Sequence, residues 1–70
     1  MNHLKEARKK AGKSQQQAAN KLETTQHQIS KYENEIQDIT LQRAKILADY
    51  YNVSLDYIAG RTNNPENPNL

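Results

Sequence analysis

A run of polar side chains, Gln26, His27 and Gln28, offers several hydrogen-bonding groups close together in the sequence. A glutamine amide donates and accepts at the same time, and a neutral imidazole does so through its two nitrogens. The serines of the chain stand at predicted helix caps or on the surface, and no acidic pair is placed for acid–base chemistry. The run therefore indicates recognition by hydrogen bonds, and we expect no enzyme activity.

Metal binding and cofactor chemistry find no support among the other residues. Zinc requires three or four converging ligands, whereas the chain has two histidines, His3 and His27, and no cysteine. Two glycines are too few for a glycine-rich loop that cradles phosphate groups. We therefore expect no metal ion and no cofactor.

Two capping patterns place the polar run at the start of a helix. Ser14 with Gln17, and Thr25 with Gln28, each fit the capping box, in which a hydroxyl and a glutamine satisfy early helical amides. The first box predicts a helix over residues 15–22, and the second starts another helix three residues later. Two helices joined by so short a turn must cross steeply, which is the geometry of a helix-turn-helix.

Apolar spacing and further caps predict three more helices, and no segment shows the alternation typical of a strand. One helix covers residues 3–11 before Gly12, one lies between Thr40 and Asn52, and a short one follows Ser54. The sequence thus predicts an all-α domain of five helices. The residues predicted to face inward are Leu4, Ala7, Ala11, Ala19, Leu22, Ile29, Tyr32, Leu41, Ala44, Leu47, Ala48, Tyr51, Leu55, Ile58 and Ala59.

Residues 1–61 are predicted to form this domain, and residues 62–70 are predicted to form a flexible tail. The tail contains Asn-Pro twice and has too little apolar surface to offset the entropy of ordering it. The chain lacks cysteine, an apolar stretch typical of a secretory signal, and a window apolar enough to span a bilayer. We therefore expect a cytoplasmic protein with no membrane partner.

Charge is divided unevenly along the chain. Residues 1–31 carry seven Lys and Arg against two Glu, whereas residues 32–70 carry three basic residues against six acidic ones. A basic half is typical of proteins that bind a polyanion, although solvated lysines are also common on ordinary surfaces. Lys10 and Lys13 are accordingly phosphate contacts or solvated surface groups, and both interpretations stay open.

A specific resemblance rests on residues 14–34, which read SQQQAANKLETTQHQISKYEN. This segment resembles the helix-turn-helix of the phage Cro/cI repressor family, whose members are also called Xre-type regulators. The resemblance extends over residues 4–61 and includes the run NVSLDY at 52–57. It implies a lambda-repressor-like bundle of five helices that places the second helix of its motif in the major groove of double-stranded DNA.

Candidate roles follow from this resemblance and from the outward positions on the second motif helix. A glutamine matches the N7 acceptor and N6 donor of adenine, so Gln26 is the first candidate for base readout. Gln15 is expected to touch a phosphate and to brace the Gln26 side chain. The residues expected at base edges are Gln26, His27, Gln28 and Lys31. The expected contacts to the DNA backbone are Gln15, Thr25, Ser30, Asn34, Lys13 and Lys10.

The resemblance also implies a biological role. Members of the family are transcriptional regulators, more often repressors, that bind pseudo-palindromic operators as homodimers with half-sites about 34 Å apart. An antirepressor or another regulatory protein is a further partner of this class. The competing interpretation is a protein-interaction module of the same fold that binds DNA weakly. Tyr50, Tyr51 and Tyr57 are either core or a dimer patch, and helical spacing favours the core.

Several positions depart from the usual pattern of the family. Glu23 and Glu35 stand where Gly is usual, and a left-handed conformation there costs a non-Gly residue roughly 1 kcal/mol. Glu35 would also repel nearby phosphate unless it points away. Ala18 replaces the usual Leu and Thr24 replaces an apolar residue, so the core beneath the motif is reduced. The residues expected to refill this core are Tyr32, Ile36 and Ile39.

Overall fold

This computed structural model describes residues 1–66, and these residues contain five α-helices. Their bounds lie within one residue of the predicted ones, and no strand occurs among residues 1–66, so the all-helical prediction is confirmed. Residues 67–70, the end of the predicted tail, lie outside the described residues. In chain order the helices are α1 Leu4–Lys10, α2 Gln15–Lys21, α3 Gln26–Glu33, α4 Leu41–Tyr51 and α5 Leu55–Ile58.

Side-chain oxygens begin four of the five helices. Ser14, Thr25, Thr40 and Ser54 each accept a hydrogen bond of 3.0–3.2 Å from the backbone N–H three residues later. At Ser14 the capping box is complete, because the Ser14 N–H donates to the side chain of Gln17 at 2.8 Å. At Thr25 only the hydroxyl half of the predicted box forms, and the Gln28 side chain instead reaches Gln37, to whose Oε1 its Nε2 donates at 2.9 Å.

The same backbone motif ends every helix of residues 1–66. A residue with φ between 56° and 79° follows the last turn, and the next N–H returns to a carbonyl five residues earlier at 2.9–3.1 Å. These are the features of a Schellman motif, which satisfies carbonyls that the helix leaves unpaired. Glu23 and Glu35, which stand where the resembling family usually has Gly, both adopt this left-handed conformation. The left-handed residues are Gly12, Glu23, Glu35, Asn52 and Gly60.

The core lies where all five helices meet, and its largest fully buried side chains are Leu4, Ile29, Leu47 and Ile58. Small residues on α2 allow the helices to approach closely at the centre. Tyr50 and Tyr57 pack against this core, which favours the core interpretation of the tyrosines. The other buried residues are Ala7, Ala18, Ala19, Leu22, Tyr32, Ala44, Ala48, Tyr51 and Val53.

Three apolar residues that were expected to be buried face outward. Leu41 is 63% exposed because it starts α4 a full turn before the helix reaches the core at Ala44. Ile36 is 73% exposed because the left-handed residue before it turns the chain away from the apolar side of α3. Ala59 is exposed because α5 ends at Ile58. Tyr32 is buried as predicted.

The two ends of the described chain pack close to α5. The N–H of His3 donates to the carbonyl of Ile58 at 3.1 Å, and the His3 ring stacks on Tyr57 with 4.4 Å between ring centroids. The N–H of Ser54, at the start of α5, donates to the carbonyl of Pro65 at 3.1 Å. These contacts hold residue 65 beside the domain, and the flexibility predicted for the tail stays a prediction.

Candidate nucleic-acid interface

The turn between α2 and α3 positions the predicted recognition residues. Ala19, Leu22 and Ile29 are buried where the two helices pack, as predicted. Between the helices, Glu23 adopts φ 56°, and the N–H of Thr24 donates to the carbonyl of Ala19 at 2.9 Å. This backbone geometry turns the chain within the four residues 22–25, and α3 then packs against α2 with Gln26 and His27 exposed.

The predicted base-reading residues differ in how far they are exposed on α3. Gln26 and His27 are exposed on its first turn, whereas Gln28 and Lys31 are half-buried. The opposite side of the helix carries Ile29, which is buried in the core. Two adjacent side chains with hydrogen-bonding groups are therefore free to meet a partner at the N-terminal end of α3.

A chain of hydrogen bonds ties Gln26 to the interior. Its Nε2 donates to Oε1 of Gln15 at 3.2 Å, and Nε2 of Gln15 donates to Oε1 of Glu33 at 3.1 Å. Glu33 also accepts two hydrogen bonds from Arg8, at 2.7 Å from Nε and 3.3 Å from Nη2. Arg8 Nη1 donates to the carbonyl of Lys13 at 3.0 Å. The structure thus brings Gln15 and Gln26 together and fixes Gln15 through α1 and α3.

The Arg8–Glu33 ion pair is the centre of this network. The two side chains are 11% and 2% exposed, and a pair removed from water to this degree persists only when its remaining hydrogen bonds are satisfied. Sequence reasoning missed both residues. A signal was present, because Arg8 follows Leu4 by four residues and Glu33 follows Ile29 by four, which puts both charges on buried helix faces.

A second amide pair lies further along α3. Nε2 of Gln28 donates to Oε1 of Gln37 at 2.9 Å, and Gln37 was not among the predicted site residues. Nδ2 of Asn34, the C-cap of α3, donates to Oγ of Ser30 at 3.1 Å, so two of the predicted contacts to the DNA backbone are hydrogen-bonded to each other. The hydroxyl of Thr25 is used as the cap of α3.

The predicted lysine contacts lie beside α4. Nζ of Lys13 is 5.0 Å from the centroid of the Tyr50 ring, and Nζ of Lys21 is 5.5 Å from the same centroid. Lys10 and Lys13 line an open groove of about 470 Å³ together with Tyr50 and Glu66. The structure therefore places the amino groups of Lys13 and Lys21 beside one aromatic ring, and only the backbone carbonyl of Lys13 takes part in the hydrogen-bond network of Gln26.

Glu35, which was expected from the sequence to repel phosphate, forms an ion pair with the amino group of Met1. Its Oε1 lies 3.0 Å from the amino group of Met1. The Met1 side chain is 82% exposed and the Glu35 side chain is 49% exposed. An exposed pair of this kind contributes little to stability. It nevertheless directs the carboxylate toward a cation, which lowers the repulsion expected at the end of α3.

Residues 1–66 contain neither a cluster of metal-ligating side chains nor a helix that could cross a membrane. No three or more His, Asp or Glu side chains of this range come together as a group that could hold a metal ion. None of its helices combines the length and the apolar character needed to cross a membrane.

Two short helices in a tight crossing, with a buried joint and an outward polar second helix, define a helix-turn-helix domain. The family model described as helix-turn-helix matches residues 4–58, and the chain belongs to that family. This match confirms the resemblance to Cro/cI-type regulators and the lambda-repressor-like fold predicted from it.

One curated relative adds detail to this assignment. The chain is 43% identical over 58 residues to the HTH-type transcriptional regulator ImmR of Bacillus subtilis (strain 168), which covers 83% of this chain and 46% of that protein. The chain thus spans less than half the length of the relative it matches. The comparison with solved structures found no match.

Proposed function

We propose that the protein is a sequence-specific transcriptional regulator that binds double-stranded DNA with α3 in the major groove. The observation that carries this proposal is the Gln15–Gln26 hydrogen bond of 3.2 Å, anchored by Glu33. It holds an exposed amide in one orientation at the N-terminal end of α3, which is the end that reaches base edges in this docking mode. Family membership and the similarity to a transcriptional regulator support the same conclusion.

Base readout is assigned to the outward residues of α3. Gln26 pairs with adenine through one donor and one acceptor, and His27, Gln28 and Lys31 contact neighbouring base edges. Because Gln15 already orients Gln26, less side-chain entropy is lost when DNA binds, and the correct base is favoured. The exposed position of Gln26 and His27 before binding supports these roles.

Contacts to phosphate set the position of the domain on DNA. Gln15, Thr25, Ser30 and Asn34 supply neutral hydrogen-bonding groups around α3, and the lysines at positions 10 and 13 supply charge. The excess of basic residues in the first half of the chain supports this arrangement. A bound regulator represses by occupying promoter DNA and excluding polymerase, and an antirepressor would act by competing for the same surface.

The functional form is proposed to be a homodimer on a pseudo-palindromic operator. An apolar groove of about 280 Å³ runs between the start of α4 and α5, and the 63% exposed Leu41 forms part of it. Asp56 and Arg61 lie on the same groove. A two-fold interface must be complementary to itself, and one acidic and one basic residue at its edge allow each copy to pair with the other.

The experiment that tests the proposal is selection of duplexes from a randomised DNA pool, followed by equilibrium binding to the selected site. We expect an enriched inverted repeat. Gln26→Ala should then lose discrimination at one base pair by a factor of roughly 10 to 100, the range of a bidentate contact. Lys13→Ala should weaken all duplexes alike and reduce the salt dependence by about 0.9 log units of affinity per log unit of salt.

The outcomes separate the two candidate classes of protein. Failure to enrich any sequence, together with binding that does not depend on salt, would identify a protein-interaction module instead of a DNA-binding regulator. Equal effects of the Gln26 and Lys13 variants on all duplexes would refute the division into base-reading and phosphate-binding residues.

A further inference from the structure

The loop after α3 folds back along the helix that carries the predicted reading residues. Glu35 adopts φ 58°, and the N–H of Ile36 then donates to the carbonyl of Lys31 at 2.9 Å. This backbone turn brings Gln37 beside the outward side of α3. There its Oε1 accepts from Nε2 of Gln28 at 2.9 Å, although the two residues are nine positions apart.

The chemistry of this amide pair determines what Gln28 can offer to a base. A primary amide has two N–H donors and one oxygen that accepts up to two hydrogen bonds. With one N–H given to Gln37, the Gln28 amide has fewer accessible orientations, and its Oε1 remains available. In the major groove such an acceptor suits the exocyclic amino group of adenine or cytosine.

The pair repeats, two residues further along α3, the arrangement already seen at Gln26. There the bracing amide of Gln15 comes from α2 at 3.2 Å, whereas here Gln37 comes from the loop between α3 and α4 at 2.9 Å. Gln28 is half-buried and Gln37 is exposed. A hydrogen bond that exists before DNA arrives removes part of the ordering entropy that a free glutamine would lose on binding.

We infer that Gln37 is a positioning residue for base readout, which acts by orienting the Gln28 amide through their hydrogen bond. This inference rests on the proposed function, because it assigns a supporting residue to the same DNA-reading surface. Gln37 itself need not touch a base. Because Gln37 acts only through Gln28, replacing Gln37 should change discrimination only at the base pair that Gln28 contacts.

The test is a double-mutant cycle on DNA discrimination with Gln37→Met, Gln28→Ala and the double variant. Methionine keeps the length of the side chain and removes the amide. Dissociation constants are measured for the selected operator, for every single base-pair substitution of it, and for an unrelated duplex, at one salt concentration. Gln37→Met should lose discrimination at one base pair by about threefold to tenfold, the range of one ordinary hydrogen bond. Affinity for the unrelated duplex should not change.

A conservative variant separates positioning from a direct DNA contact. Gln37→Glu keeps an acceptor for the Gln28 N–H and adds a negative charge, so it should weaken binding to all duplexes while keeping the discrimination. In the Gln28→Ala background, Gln37→Met should have no further effect on discrimination. Thermal unfolding by circular dichroism serves as the folding control, because Gln37 is exposed.

Three results would overturn the inference. Unchanged discrimination in Gln37→Met shows that the hydrogen bond does not matter for readout. A uniform loss over all duplexes makes Gln37 a phosphate contact, and an equal loss in the Gln28→Ala background makes its action independent of Gln28. In all three cases the wild-type protein still prefers its operator. If the wild-type protein prefers no sequence, the proposed function itself fails, and the inference fails with it.

Discussion

Tyr51 shows how a single residue can carry a cost inside a small core. Only 4% of it is exposed, and within residues 1–66 its hydroxyl has no hydrogen-bond partner. Burial raises the pKa of the Tyr51 phenol above its ordinary value of 10.0, and the nearby Glu33 carboxylate raises this pKa further. Both effects favour the neutral phenol in the folded protein.

This shift predicts how stability depends on alkaline pH. The unfolded chain releases the Tyr51 proton near pH 10, whereas the folded protein keeps it, so the unfolded state is favoured increasingly above that pH. The free energy of unfolding that depends on the neutral phenol is complete below about pH 10 and falls by up to about 1.4 kcal/mol per pH unit above it. Tyr51→Phe should be at least as stable as wild type at neutral pH and should lose less stability above pH 10.

Urea unfolding followed by circular dichroism at about pH 8 and pH 11 measures both effects. Tyr50→Phe is the matched control, because Tyr50 is adjacent on α4 and only half-buried. Parallel loss of stability in wild type and Tyr51→Phe above pH 10 would refute the burial argument. A Tyr51→Phe variant destabilised by more than about 1 kcal/mol at pH 8 would show that the hydroxyl has a partner.

At the scale of the elements, short helices depend on how they end. Helices of four to eleven residues gain little from their own hydrogen bonds, so caps and tertiary packing determine whether they form. Left-handed residues end all five helices within residues 1–66, and two of these residues are glutamates. Glu23 ends α2 inside the helix-turn-helix, so any strain there lies next to the reading surface.

Two substitutions test the energetic role of the left-handed positions. Gly12→Ala should lower the free energy of unfolding by about 1 kcal/mol, because a Cβ at this residue has no atom within 4 Å and only the backbone conformation is penalised. Glu23→Gly should raise the free energy of unfolding by up to about 1 kcal/mol for the converse reason. Thermal and urea unfolding measure both changes.

Glu23→Gly changes both the charge and the backbone freedom at position 23, so a control must separate the two effects on stability. Glu23→Gln removes the charge and keeps the side chain, so its stability should stay close to that of wild type. If Glu23→Gln is stabilised as much as Glu23→Gly, the effect comes from electrostatics. If Gly12→Ala matches wild type, the left-handed conformation carries no measurable cost at these helix ends.

At the scale of the whole molecule, one apolar groove between the start of α4 and α5 is left exposed in the monomer. Leu41 is 63% exposed on a groove with Ile39, Leu55 and Ile58, and the groove also carries residues of both charges. In the proposed homodimer this surface would be buried against a second copy, which would add apolar contacts to a domain with few large apolar residues. The proposed dimer would place two copies of α3 on two half-sites of one operator.

Leu41→Gln tests this interface. We expect the variant to dimerise at least tenfold more weakly, since two copies of an apolar side chain lose their buried contact. Its affinity for an inverted repeat should fall toward the affinity for a half-site, while half-site affinity stays at the wild-type value. Sedimentation equilibrium and equilibrium DNA binding measure the two quantities.

Ile36→Gln is the matched control for this prediction. Ile36 is 73% exposed but does not line the groove, so its replacement should leave dimerisation unchanged. An equal effect of the two variants, or a wild-type protein that stays monomeric on an inverted repeat, would contradict the proposed interface.

The amino-acid sequence by itself determined the local features of this protein. Caps and helix ends depend on residues within about five positions of one another, so the roles of Ser14, Thr25 and Gly12 followed directly from the sequence. The left-handed turn at Glu23 was suggested only by the Gly that the resembling family has there. The spacing of apolar residues along each helix predicted most of the core. The order of these elements, with the resemblance of residues 14–34, was enough to predict the fold.

Only the tertiary structure decided which polar groups meet. Arg8 and Glu33 are 25 positions apart, Gln15 and Gln26 are 11 apart, and their contacts depend on how α1, α2 and α3 cross. The exposure of Leu41 likewise depends on where α4 first reaches the core. Side-chain hydrogen bonds require positions accurate to a few tenths of an ångström. Helical periodicity specifies only the face of a helix, so these partners become visible only once the helices are packed.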